Sequence, residues 1–265
     1  MISRDEIVTY LNNTLGLAAT KGDDGPCNGL QVQGVSEVRR IGLAVDACLE
    51  AYERAVAAGC QMLVVHHKLI WGSGVTSITE RMHEHVSFLM RHGLNLYGSH
   101  LPLDMHPELG NNAQLAKLLG LGEAAPFGEY HGETIGFSGT LPQPLSPREL
   151  ARRLGDALGG RPVVLEFGPA AICRVGIVSG GAADMLDQAV RAGLDAYITG
   201  EPMHFTYQLA RELHANVIYL GHYHSETLGV RAVGQRLTER FGVENVFLDI
   251  AVPDTTWSIH EPNGV

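Results

Sequence analysis

The sequence is poor in the residues that would cross-link it, anchor it in a bilayer or bind it to polyanions. Its four cysteines, Cys27, Cys48, Cys60 and Cys173, are scattered without a C-x-x-C spacing. That disfavours a thiolate zinc knuckle and offers no disulfide framework, so reduced thiols in the cytoplasm are the simplest expectation. No apolar run is long enough to span a bilayer. Cations are the scarcer charge, 19 Lys and Arg against 29 Asp and Glu, for a formal charge of -10 and a pI near 5.7. Such a field repels phosphates everywhere except at a local positive centre, which argues against broad nucleic-acid or anionic-membrane binding and leaves bound metal as a source of that centre. Phosphate-cradling loops are missing as well. Gly29, Gly34, Gly72 and Gly74 form no P-loop or dinucleotide motif, and Ser179-Gly180-Gly181 is too short to be specific. Ser99 beside His100 lacks the Gly-x-Ser-x-Gly elbow of a serine hydrolase.

What is present is an apolar fraction of 45 % with only 18 % charged residues, enough core for one large domain or two modest ones. The start, Met1-Ile2-Ser3-Arg4-Asp5-Glu6, is charged and places Ser3 and Glu6 as a capping box, so it reads as a helix entry rather than a secretory leader. Histidine is abundant at 13 residues, and its placement matters more than its number. The buried-strand pattern Met62-Leu63-Val64-Val65 ends in His66-His67. Two similar runs end in Gly98-Ser99-His100-Leu101-Pro102-Leu103-Asp104 and Gly221-His222-Tyr223-His224-Ser225-Glu226. Open α/β sheets gather ligands at strand carboxyl ends, so segments far apart in sequence can converge there.

The chain also repeats itself. Ile41–Val45, a helical stretch Leu49–Ala58, Gly59 and the strand ending at His67 align without a gap on Val175–Val178, Met185–Ala192, Gly193 and Ala196–Glu201. Gly42 falls on Gly176, Ala58-Gly59 on Ala192-Gly193, and His67 on Glu201. Each copy continues with a helix, near Ile78–Arg91 or Phe205–Leu213, then a short strand, Leu94–Tyr97 or Asn216–Tyr219, and a turn bearing His100 or His222. The expectation is an α/β fold of two related lobes, 1–126 and 127–265, arisen by internal duplication with a metal site in the cleft between them. The boundary is set near Pro126 because Gly122–Glu129 is polar and turn-prone. Helix Pro147–Leu158, capped by Ser146, opens the second lobe's helical part.

Neutral imidazole and carboxylate together suit zinc, iron, manganese or nickel. His66 and His67 would face opposite sides of an ideal strand, but at a strand end both can turn toward one site. His222 and Glu226 share a face if a helix follows Gly221, and Pro102 stiffens the loop that carries Asp104. His66, His67, Asp104, His222 and Glu226 are therefore the candidate metal ligands. His100, Glu201, His204 and His224 are weaker candidates for supporting or substrate-contacting roles, with His100 and Glu201 singled out as proton carriers. His83, His85, His92, His106, His131, His214 and His260 are read as ordinary surface or hydrogen-bonding residues.

Taken in order, Asn28-Gly29-Leu30-Gln31-Val32, Val65-His66-His67, Ser99–Asp104 and Gly221–Glu226 resemble the Nif-three-like dinuclear-metal-centre family, whose members are called GTP cyclohydrolase I type 2 homologues. The likeness runs from about Ile7 to Ile250. It implies a two-lobed α/β protein that assembles as a toroidal homohexamer and holds two divalent ions per subunit. His66 and Asp104 would serve one ion, His67 and His222 the other, with Glu226 bridging. Some relatives have a tryptophan where this chain has Asp23-Asp24-Gly25-Pro26-Cys27, a difference at the rim of the site.

Two divalent ions and two carboxylates leave a net charge of about +2, and ions about 3.5 to 4 Å apart can share a hydroxide. The reaction expected from this is metal-assisted hydrolysis of a nucleotide or related small anion. For a GTP-like substrate the attack would fall on purine C8, with ring opening and loss of formate. The rival expectation is a metal-handling protein or iron chaperone without turnover. A regulatory ring that binds nucleic acid is a third reading, lowered by the acidic balance.

Overall fold

The computed structural model describes residues 1–20, 27–72 and 74–252. The rim residues Asp23 to Pro26 and His260 lie outside them. Among the described residues no helix is long and apolar enough to cross a membrane. The four cysteines are free.

The chain forms two compact units. Unit 1 comprises Met1–Gln114, Tyr130–Glu133 and Glu226–Ile250, and unit 2 is built on Leu115–Glu129 and Thr134–Ser225. A single cut near Pro126 would leave the last helix and strand with the second lobe. In the structure they belong to unit 1, because Glu244–Phe247 pairs in parallel with Arg40–Asp46.

Unit 1 has a five-stranded sheet in the order Glu244–Phe247, Arg40–Asp46, Met62–His67, Asn95–Gly98, Gly29–Val32. The first four strands are parallel and the last is antiparallel. Both faces are covered, which explains the unbroken apolar runs. Met62, Val64 and Tyr97 pack with Ile7, Leu11, Val230, Val233 and Leu237 on one face. Leu63, Val65 and Leu96 pack with Ala51, Tyr52, Ala55 and Leu89 on the other.

Unit 2 has a six-stranded sheet in the order Gly122–Tyr130, Glu133–Leu145, Ile172–Val178, Ala196–Thr199, Asn216–Tyr219, Val163–Glu166. Its three middle strands after the hairpin are parallel, and Val163–Glu166 closes the edge antiparallel. Gly122–Glu129, expected as a turn-rich boundary, is an edge strand running to Tyr130. Only Phe127 and Gly128 of that strand are buried, so it carries no apolar alternation to read, and an edge position tolerates Pro126.

The repeat is real at the level of hydrogen bonds. The strand registers set Asn95 and Asn216 at the same place in the third parallel strand of each unit. Asn95 donates its amide to the Val35 and Gln61 carbonyls and accepts from Gly34 N–H. Asn216 donates to the Pro169 and Asp195 carbonyls and accepts from Gly168 N–H. Gln61 and Asp195 are themselves equivalent: one carboxamide or carboxylate oxygen accepts from Arg39 and Arg40 N–H, the other from Cys173 and Arg174 N–H. Gly34 and Gly168, Gln61 and Asp195, and His67 and Glu201 all keep one gapless alignment. After the third strand the correspondence sets His222 on Leu101 rather than on His100, one residue away from the pairing the sequence suggests.

Candidate metal centre

His66 and His67 end the strand Met62–His67, and parallel pairing sets Asp46, the last residue of the neighbouring strand, beside His67. That register makes an anchor. His67 Nδ1 lies 2.7 Å from Asp46 Oδ1, and its Nε2 lies 3.1 Å from Glu226 Oε2. His66 is fully buried, with Nδ1 3.1 Å from the Ser99 carbonyl oxygen. A carbonyl only accepts, so Nδ1 carries hydrogen and the Nε2 lone pair points away from it. Among the described residues His66 Nε2 finds no hydrogen-bond partner and faces Asp104 Oδ2 at 3.4 Å and Glu226 Oε1 at 3.5 Å.

Asp104 sits in the short helix Leu101–Met105, with Pro102 in its first turn, rather than in the loop expected. Its Oδ1 accepts 2.8 Å from Asn111 Nδ2, and Asn111 Oδ1 accepts 2.8 Å from Gly229 N–H in the helix Thr227–Phe241. Gly229 must be glycine there, since a Cβ would stand 2.5 Å from Asn111 Oδ1. Glu226 is the N-cap residue of that same helix, so the relay ties Asp104 to the element that carries Glu226. Asp104 and Glu226 are almost wholly buried.

Two carboxylates around buried imidazoles form a strongly negative pocket. Burial pulls the imidazole pKa values down, but Asp104 and Glu226 outweigh it at His66, which is raised. His67 is pushed up to about 10, burial again being outweighed by Glu226 and Asp46. The pocket thus favours a cation among its donor atoms. His66, Asp104 and Glu226 offer ligand atoms mutually within 4.8 Å, as do His66, His67 and His100. Donors about 2.1 Å from a shared ion stand roughly 3.0 Å apart in octahedral and 3.4 Å apart in tetrahedral geometry, which the 3.1 to 3.5 Å separations match. The residues fit a metal, and nitrogen and oxygen donors without thiolate suit a divalent first-row ion.

The first motif turns out to be a bracket. Asn28 Oδ1 accepts from the backbone N–H of His100. Gln31 donates its amide to the Cys27 and Ile70 carbonyls and accepts from Leu69 and Ile70 N–H. It ties the segment after His67 to the segment before the Gly29–Val32 strand. His100 lies with its ring centroid 5.0 Å from that of His66 and 5.7 Å from that of His67.

Within unit 2, His222 opens the short helix His222–Ser225, and its Nδ1 is 3.2 Å from Glu201 Oε2. All three candidate histidine ligands therefore have Nδ1 engaged by an oxygen, the arrangement that presents Nε2 to a metal. Glu201 is accordingly a partner of His222. His204 is exposed, and His224 packs edge-on against Tyr223. His83, His92, His131 and His214 are exposed, and His85 is buried and hydrogen-bonded to Tyr52, in keeping with the surface or hydrogen-bonding roles expected of them. Sequence reasoning missed Asp46, Asn111 and the role of Gln31. Only Asp46 had a signal, since it extends the strand Ile41–Val45 to the level of His67.

The family model described as Duf34/NIF3 (NGG1p interacting factor 3) matches residues 2–253. The chain belongs to the Duf34/NIF3 family. Among its relatives, a protein of Archaeoglobus fulgidus named GTP cyclohydrolase 1 type 2 homolog is 43 % identical, the match covering 92 % of this chain and 97 % of that one. A protein of the same name from Pyrococcus horikoshii is also 43 % identical, over 94 % and 98 %. Of solved structures, TTHA1606 from Thermus thermophilus superposes with a TM-score of 0.87 at 37 % identity, over 95 % of this chain and 100 % of that chain. The protein ybgI, titled as of unknown function, gives 0.86 at 36 % identity with the same coverage. The Duf34/NIF3 fold is thus shared at a level where sequence and structure agree.

Proposed function

We propose that this Duf34/NIF3 chain is a metal-dependent hydrolase of small anionic substrates, nucleotides among them, with two divalent ions held by His66, His67, Asp104, His222 and Glu226. The observation that carries this reading is the pair of consecutive imidazoles, each anchored through Nδ1, with Nε2 turned toward buried carboxylates at 3.1 to 3.5 Å. The name GTP cyclohydrolase 1 type 2 homolog carried by the relatives supports a purine nucleotide as the substrate to test first.

Bound ions would supply water acidified to near neutral pH and positive charge for an oxygen that gains charge during reaction. The chain's own residues do the rest. Asp46 and the Ser99 carbonyl hold the two imidazoles in the tautomer that offers Nε2, and Asn111 fixes Asp104 so that it reaches the pocket through one oxygen. Glu201 does for His222 what Asp46 does for His67. His100, only half-buried and with its ring 5.0 Å and 5.7 Å from those of His66 and His67, would carry a proton between the pocket and solvent.

Glu226→Ala should lower metal content, measured by elemental analysis, to one ion or none per chain and abolish hydrolysis. Full occupancy in that variant would remove the assignment. Metal-loaded protein incubated with GTP, other nucleotides and phosphoesters should turn over at least one of them above a chelated control. Failure across the panel, with metal exchanging rapidly onto an acceptor, would turn the reading toward metal delivery. The toroidal hexamer belongs to the same proposal, and light scattering should then give a mass six times 28.6 kDa.

A further inference from the structure

One aromatic side chain beside the candidate centre is both exposed and fixed. Trp71 leaves 43 % of its surface open, although an exposed large aromatic normally gains nothing from a rigid pose. Its pose is held from three sides. The indole N–H donates to the Lys68 carbonyl, the Lys68 ammonium sits 4.8 Å from the ring centroid, and the His100 ring meets it edge-on at 4.9 Å, with planes 76° apart. The backbone beneath it is pinned too, since Gln31 bonds to Leu69 and Ile70, and Cys27 Sγ donates to the Gly72 carbonyl. The ring centroid of Trp71 is 6.4 Å from that of His67, so the indole borders the candidate centre.

We propose that Trp71 is a stacking platform for the planar heterocycle of the substrate, positioned by Lys68, His100 and Gln31. This rests on the hydrolase reading above and narrows its substrate to molecules that join an aromatic ring to an anionic group, nucleobase phosphates being the simplest. The pieces fit that class. An indole offers area and a π-face, so it accepts any base without hydrogen-bond readout. Lys68 is buried, with its ammonium 4.8 Å from the indole centroid, so it orders the ring from one side. Preorganisation of this kind removes the cost of ordering the side chain when ligand arrives. Trp71 touches no candidate metal ligand through its polar atom, so its loss should leave the metal centre intact.

The test is a binding ratio. Guanosine 5′-monophosphate, adenosine 5′-monophosphate and ribose 5-phosphate are titrated by calorimetry into metal-loaded wild-type, Trp71→Ala and Trp71→Phe proteins, with metal content measured on the same samples. Wild type should bind both nucleotides more tightly than ribose 5-phosphate. Trp71→Ala should lose roughly fivefold to a hundredfold in nucleotide affinity, the span of base–aromatic stacking, while its ribose 5-phosphate affinity and metal content stay unchanged. Trp71→Phe should keep most of the preference. A nucleotide to ribose 5-phosphate ratio that is unchanged in Trp71→Ala, or absent from wild type, overturns the platform. Wild-type protein that takes up no metal overturns the centre instead, so the two failures are told apart.

Discussion

At the scale of single residues, the candidate centre is braced by groups outside the proposed ligand set. Asp46 holds His67 by a 2.7 Å contact, and a carboxylate on the distal nitrogen both fixes the ring and raises its basicity. Asp46→Asn keeps the shape but weakens that contact and can favour the wrong tautomer. Metal affinity should fall about 10- to 100-fold, with the circular-dichroism spectrum unchanged. Isothermal titration with zinc or manganese reads the change, and wild-type affinity in Asp46→Asn would show that the anchor is idle. The candidate ligands stood out in the sequence because imidazole and carboxylate at strand ends are rare enough to notice, and the structure brings His66, Asp104 and Glu226 together as a group that could hold a metal ion. Asp46 was not picked out, because a carboxylate at a strand end is informative only once the register sets it opposite His67. Asn111 was hidden more deeply, since nothing in the sequence says that an amide seven residues past Asp104 returns to it.

At the scale of elements, periodicity found most helices and the parallel strands, and Pro147–Leu158 agrees end for end. It failed at the edge strand Gly122–Tyr130, where exposure removes the apolar signal on which strand recognition depends. The duplication was visible in glycines and alanines, but its physical content lies in polar residues. Asn95 and Asn216 each join the end of one strand's loop to the start of another through three hydrogen bonds. Both are buried, so truncation strands polar backbone groups at about 1–3 kcal/mol each. Asn95→Ala and Asn216→Ala should each destabilise the protein by about 3–5 kcal/mol, which urea unfolding measures. Equivalent clamps should give similar losses. A variant within about 0.5 kcal/mol of wild type would mean that its clamp contributes nothing.

At the scale of the whole molecule, the interleaved division into units could not be read from the sequence, because Glu226–Ile250 follows unit 2 in the chain and pairs with a strand two hundred residues earlier in unit 1. Stability of the whole chain is also where a buried histidine outside the centre should declare itself. His85, on the helix Glu80–Arg91, is buried with Nδ1 3.2 Å from the Tyr52 hydroxyl and its ring edge-on to Tyr52. Burial pushes the Tyr52 pKa up, so the phenol stays protonated and shares a hydrogen bond with the buried imidazole. Burial likewise lowers the His85 pKa, helped by Arg81 and opposed by Glu84. A histidine whose folded pKa lies below its unfolded value of about 6.5 binds fewer protons folded than unfolded in that window. Its contribution to stability is therefore complete above about pH 6.5 and lost as pH falls through that value toward the folded pKa. His85→Gln keeps a polar partner for Tyr52 but cannot titrate, so between pH 7.5 and 5 its urea midpoint should fall less steeply than that of wild type. Parallel slopes for the two proteins would mean that acid acts on this fold through other groups.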